Sequence, residues 1–368
     1  MIRPTVARVD LPALGQNLRA IAELAGGRAR VIAVVKANAY GHGAAQAGVV
    51  FEAAGAAMLA CADIEEGIAL RQAGVRIPIL VFGALSISDL EGLFEHALTP
   101  TISTPGAARA LQVAAARHGG ILGCHLKIDT GMNRLGFRHD NLDRTIPDVV
   151  SCGNLRVDAV YTHFATADDP EQPLFAAQRE RFEAALGRLP ALGVTTRTRH
   201  AANSAALLRD ERVWYDFVRP GLLLYGIVPP PLASTLPLRP ALSLHSRIVA
   251  VKGLRPGEGT GYGMKRQFSE PATLAVVPAG YADGLDLRLA GHGHMLVRGR
   301  RAPVVGSVCM DMTMIDVTGM DVAPGDEVVI IGGQEQEFIG VREIAASLGT
   351  IPYELLCRLG ARIERVYQ

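Results

Sequence analysis

Five segments in the N-terminal part of the chain share a pattern: an ionisable residue stands where a strand-like run ends. Lys36 closes "VIAVVK", Lys127 and Asp129 end "ILGCHLKID", His163 follows "VDAVYT", His200 ends "TRTRH" and Arg219 lies in "YDFVRPG". A lysine in such a place is either a surface group snorkelling out of the core or an amine held at a pocket mouth. In the second case partial desolvation lowers its pKa and makes it a nucleophile or base. So many ionisable groups at strand ends favour a functional reading of Lys36. Two further segments suit an anion. "HAANSAALL" places Asn203 and Ser204 where a helix begins, and "RPGLLLYG" places Gly221 in a turn whose N–H groups face an anion without a Cβ in the way.

Parallel strands are the elements that would position these groups. Apolar runs near 31–36, 57–61, 78–82, 98–102, 121–129, 156–163, 196–200 and 216–224 read as eight strands. Between them lie helix-like stretches such as "DIEEGIALRQAG" and "TPGAARALQVAAARHGG", which open on a capping Asp63 or Thr104 and close on glycine. Eight βα units in about 230 residues match the size of a (β/α)8 TIM-like barrel. Catalytic groups of such barrels gather at the carboxyl ends of the strands, with phosphate commonly held near the seventh and eighth. A reactive lysine opposite a phosphate site suggests pyridoxal 5'-phosphate.

From about residue 236 the texture becomes β-rich, after the proline-rich linker "VPPPLASTLPLRP". The expected division is a cofactor-binding barrel over 1–235 and a C-terminal mainly-β domain over 236–368. A length of 368 residues is ample for two such domains.

Composition narrows the partners. Hydrophobic residues make up 49% and charged residues 20%, as in a globular protein, and a net charge of +1 gives no footprint for nucleic acid or an anionic membrane. Small molecules are the expected partners. The N-terminus lacks the pattern of a signal peptide and no apolar run is long enough to span a bilayer, so the expected location is the cytoplasm. The five cysteines (61, 124, 152, 309 and 357) are scattered without a CxxC, which disfavours a disulfide framework or a zinc site. His292 and His294 in "GHGHM" read as a glycine-rich loop tip, since no partner ligands stand at recognisable spacing, and no metal is expected.

The segments "AVVKANAYGHG", "LKIDTGMNRLGF", "THFATAD", "HAANSAA", "RPGLLLYG", "GTGYG", "PAGYADG" and "GSVCMDMTMIDVT" occur in this order along essentially the whole chain. In that order they resemble the alanine racemases. The resemblance implies a pyridoxal phosphate barrel, a C-terminal β-domain, a head-to-tail homodimer with shared active sites, and interconversion of L- and D-alanine that supplies D-alanine for peptidoglycan.

Residue by residue, Lys36 resembles the lysine that carries the cofactor and then acts as one base, and Tyr262 the opposing base, supplied by the partner subunit. Racemisation takes a proton from one face of a planar carbanion and returns one to the other, so acid-base groups must flank the cofactor on both sides. A phenol ordinarily ionises near pH 10, and its use as a base needs positive charge or hydrogen-bond donors nearby. His163 and His200 are similar to residues lining the cofactor pocket. Arg219 resembles the arginine on the pyridine nitrogen, a permanent cation that leaves that nitrogen unprotonated, weakens the electron sink and so restrains transamination.

Tyr40, Ser204, Gly221, Leu222 and Tyr353 look like phosphate-contacting positions, the glycine and leucine through backbone N–H. Arg134 and Met310 are similar to residues holding the substrate carboxylate, and Tyr281 to a residue narrowing the entrance. Lys127 resembles a lysine that is carbamylated in many relatives, which would turn a cation into an anion able to orient Arg134. Cys309 and Asp311, flanking Met310, are expected in support.

Amino-acid decarboxylases share the barrel and cofactor, but usually place an acidic partner where Arg219 stands. A module that merely keeps the fold would be expected to lose its charged pocket residues. A metal-assisted relative would need a His and Cys ligand pair near Cys357, where there is none. Broader or serine-preferring racemases remain the alternative, because a hydroxyl is discriminated only modestly in a pocket made for a methyl group.

Overall fold

The computed structural model describes residues 3–85, 87–196, 198–264 and 266–368. The chain forms two compact units, one of residues 13–39 and 44–239, the other of residues 1–12, 40–43 and 240–368.

The first unit is a closed barrel of eight parallel strands. In chain order they are Arg30–Val34, Met58–Cys61, Ile79–Val81, Thr99–Ile102, Leu122–Asp129, Leu155–Tyr161, Arg199–His200 and Phe217–Val218. Each pairs in parallel with the next, and the eighth pairs back onto the first through Phe217 and Arg30. Helices follow the strands as the capping pattern requires: Asp63 accepts from the Glu66 N–H and Thr104 from the Ala107 N–H.

Two differences from the expected strands have local causes. The eighth is two residues long rather than running from 216 to 224, because Pro220 offers no N–H to a ladder and the buried Leu222–Tyr225 segment winds into a 3-10 turn. The seventh was expected over 196–200, of which Arg197 lies outside the described residues; the described strand is Arg199–His200.

The second unit is built on a largely antiparallel sheet. Across it the strands run Ala250–Leu254, Ala272–Val277, Thr313–Asp316, Arg300–Val305, His294–Val297, Glu327–Gln334, Leu242–Arg247, Val6–Val9 and Glu364–Tyr367, only the last pair being parallel. Val6–Val9 therefore belongs to this sheet, although the division at residue 235 puts it with the barrel. Its alternating side chains carry no mark of which sheet receives them; register against Leu242–Arg247 and Glu364–Tyr367 decides it. No helix among the described residues is long and apolar enough to cross a membrane.

Candidate active site

At the carboxyl end of the barrel the first strand gives way to an unusual turn. Ala37, Asn38, Ala39 and Tyr40 all have φ between 51° and 54°, in the left-handed region. For non-glycine residues this costs about 1–2 kcal/mol each and persists only if the surroundings hold it. Several bonds do so. The Ala37 N–H donates to Glu66 Oε1 at 2.6 Å, the Ala62 N–H to Glu66 Oε2 at 2.8 Å, and the Ala44 N–H to Asn38 Oδ1 at 2.8 Å. Lys36 is thus presented at the start of a braced turn rather than at the tip of a loose loop.

Lys127 stands on the fifth strand, 7% exposed. Burial first, then the charges of Arg134, Arg219 and Lys36, lower its amine to about 8. Four cations are therefore close together, and Asp129 is the carboxylate whose charge acts on Lys127 in the opposite sense. Asp129 is itself engaged, since its Oδ1 accepts from the N–H groups of Gly131, Met132 and Asn133 and so shapes the loop that carries Arg134. Arg134 is exposed and makes no ion pair or hydrogen bond among the described residues. A concentration of positive charge with so little internal compensation is a site for anions.

Arg219 is 3% exposed, and burial pulls its guanidinium down to about 10. Nη1 donates to His200 Nδ1 at 2.9 Å, and Nη2 to the Thr162 and Ala201 carbonyls, with His163 Nδ1 at 3.3 Å. Nε–H has no partner among the described residues. That donor is open to a ligand acceptor. Burial and then Arg219 keep both His163 and His200 far below the ordinary imidazole range, hence neutral. His200 also stacks on Tyr161, ring centroids 4.6 Å apart.

Ser204 follows the Asn203 cap, whose side chain accepts from the Ala206 N–H. Its Oγ accepts from the Gly221 N–H at 2.8 Å and more weakly from the Leu223 N–H at 3.4 Å. With its lone pairs so used, the hydroxyl proton is left to donate elsewhere. Gly221 and Ser204 are thus brought together, but the Gly221 amide is spent on Ser204. The amide of the buried Leu222 has no partner among the described residues.

In the second unit, Tyr262 is 77% exposed on a short turn between two left-handed glycines, its carbonyl accepting from Ser307 Oγ at 2.8 Å. Tyr281 and Met310, also exposed, lie on adjoining loops: the Tyr281 N–H donates to the Cys309 carbonyl and the Ala282 N–H to that of Met310. Gly280 makes this approach possible, since a Cβ there would lie 2.2 Å from the Cys309 carbonyl oxygen. Asp311 accepts from Arg362 at 2.7 Å and so anchors the Met310 loop. Tyr40 and Tyr353 have ring centroids 5.7 Å apart.

Two family models match the chain. The alanine racemase N-terminal domain matches residues 9–229 and the C-terminal domain residues 241–367. The chain belongs to the alanine racemase family. Alanine racemases of Carboxydothermus hydrogenoformans and Halothermothrix orenii are 41% and 39% identical to it, the first covering 100% of both chains and the second 100% of this chain and 97% of the relative. Among solved structures, the alanine racemase of D-cycloserine-producing Streptomyces lavendulae superposes with a TM-score of 0.96 at 34% identity, covering 100% of this chain and 98% of that one. The Bacillus anthracis alanine racemase with bound L-Ala-P gives 0.91 at 34% identity, covering 100% and 96%.

Two residues that shape the site, Glu66 and His125, escaped the reading of the sequence. Glu66 sits in an ordinary helical first turn, where an acidic residue is expected for electrostatic reasons alone. His125 lies two residues before Lys127, and its Nδ1 is 2.9 Å from His200 Nε2. The i, i+2 spacing of a strand, which puts His125 on the same face as Lys127, was the available signal.

Proposed function

We propose that this chain is a cytoplasmic, pyridoxal 5'-phosphate-dependent alanine racemase that works as a homodimer and supplies D-alanine for peptidoglycan. The observation that carries the reading is the cation cluster of Lys36, Lys127, Arg134 and Arg219 at the carboxyl end of the barrel, one member being a buried guanidinium with an uncommitted Nε–H. The donor set fits the cofactor: Arg219 Nε for the pyridine nitrogen, the Ser204 hydroxyl and Leu222 N–H for phosphate oxygens, and the Lys36 amine for the aldehyde. Tyr40 and Tyr353 are the further phosphate-contacting positions that the family resemblance implies. Bound there, the cofactor supplies the electron sink that acidifies the α-carbon of an amino acid.

The protein's own groups do the rest. Lys36 Nζ exchanges a proton with the α-carbon on one face, and the phenol of Tyr262 from a second copy does so on the other. Arg134 takes the substrate carboxylate in its guanidinium fork, and the Met310 N–H of a second copy adds a donor. His163 and His200, kept neutral, add no charge beside the ring. Tyr281 narrows the way in. Tyr262, Met264, Tyr281, Met310 and Met312 of the second unit are large apolar side chains left exposed, which supports a partner copy as their cover.

Purified protein supplied with pyridoxal 5'-phosphate is expected to turn L-alanine into D-alanine, and Lys36→Ala to abolish this along with the covalently bound cofactor's absorbance. Retained activity in Lys36→Ala would overturn the assignment.

A further inference from the structure

The helix Leu174–Arg188 buries Phe175, Gln178, Phe182 and Ala185 along one stripe. Gln178 occupies a place in that stripe where periodicity calls for an apolar residue. It is 0% exposed, and a buried amide costs about 1–3 kcal/mol if its bonds go unmade. Here they are made, to two different loops. Nε2 donates to the His163 carbonyl at 3.0 Å and to Thr130 Oγ1 at 3.2 Å, while Oε1 accepts from the Ala165 N–H at 2.9 Å.

The amide's orientation follows from its partners, since a carbonyl can only accept and an N–H can only donate. Thr130 Oγ1, accepting from Gln178, also shares a hydrogen bond with Thr162 Oγ1 at 2.8 Å, and the Thr162 carbonyl in turn accepts from Arg219. Thr130 begins the loop that carries Arg134, and Thr162 and His163 begin the loop after the sixth strand. The same helix adds Arg181, whose Nη1 donates to the Thr130 carbonyl at 2.9 Å.

We propose that Gln178 is a positioning residue for the reaction: by tying the Thr130 loop to the His163 loop it sets where Arg134 stands. The proposal rests on the reading of Arg134 as the holder of the substrate carboxylate. Gln178 touches neither substrate nor cofactor, and its effect passes through Arg134.

The test is a double-mutant cycle on the cofactor-loaded protein with Gln178→Met, which removes all three bonds without burying a charge, and Arg134→Lys. Gln178→Met is expected to raise KM for L-alanine about ten-fold, with kcat far less affected. In the Arg134→Lys background it should add little, because its route is already broken. Hydrogen exchange should quicken at Ala165 and in the segment 131–134 together, a readout independent of activity. Thr130→Val, which cuts the link while leaving Gln178 in place, should give the same KM effect in weaker form and serves if Gln178→Met fails to fold. Fully additive effects, or an unchanged KM in a folded Gln178 or Thr130 variant, would overturn the proposal and leave the role of Arg134 intact. If Arg134→Lys itself left KM unchanged, the carboxylate assignment would fall and the proposal with it.

Discussion

Arg219 Nη1 lies 2.9 Å from His200 Nδ1, and because a guanidinium has only donors, this bond fixes the proton of His200 on Nε2. Nε2 then donates to His125 Nδ1, also 2.9 Å away, which leaves the His125 proton on its own Nε2. One permanent cation sets the tautomers of two imidazoles in the barrel interior.

Such a chain has no place for another proton, so acid should weaken the barrel. Burial holds His125 down at about 4 and His200 far below its ordinary value, whereas both would protonate near pH 6.5 in the unfolded chain. Below that pH the unfolded state binds more protons, and stability falls as pH falls. The His125 share is about 3 kcal/mol, present above pH 6.5 and lost by about pH 4. The urea midpoint should drop between pH 7 and pH 5, and less steeply in His125→Gln, which can still accept from His200. Identical slopes would contradict the account.

Lys127 is predicted to take up carbon dioxide. Carbamylation needs the neutral amine, which loses a proton as the N–C bond forms, and an amine lowered to about 8 supplies that form in quantity as pH rises toward 8. With 13C-bicarbonate, a carbamate carbon signal should appear at pH 8, weaken at pH 6 and be absent from Lys127→Arg. An unmodified Lys127 under these conditions would sink the idea.

The barrel was legible because its strands are apolar runs bounded by caps and glycines, and a strand that ends on Lys36, Lys127, His163 or His200 announces a site by breaking its own pattern. Three kinds of feature were not legible. The left-handed turn after Lys36 is written in alanine, asparagine and tyrosine, with a glycine, Gly41, only after them, and it stands on a contact with Glu66 that sequence order does not reveal. Gln178 carries a signal, a polar residue in an apolar stripe, but its partners lie in two distant loops. Val6–Val9 is an unremarkable short strand whose place depends on pairing with segments more than two hundred residues away.

Tyr262 and Lys36 are predicted to serve opposite faces of the substrate. Tyr262→Ala should retain the cofactor and slow α-proton exchange from L-alanine about a hundred-fold more than from D-alanine. Equal losses for the two enantiomers would contradict one base per face.

Sharing of sites between copies has its own consequence. Lys36→Ala and Tyr262→Ala, each inactive, should regain activity when unfolded and refolded together, because a hybrid dimer holds one site with both residues intact. No recovery, with hybrid dimers shown to have formed, would mean that Tyr262 does not act across the dimer.

The most direct measurement follows L-alanine incubated with the purified protein and pyridoxal 5'-phosphate in deuterated water, reading enantiomer composition and α-deuterium together. The account predicts D-alanine carrying deuterium at the α-carbon. L-alanine returned unchanged and unlabelled would contradict it.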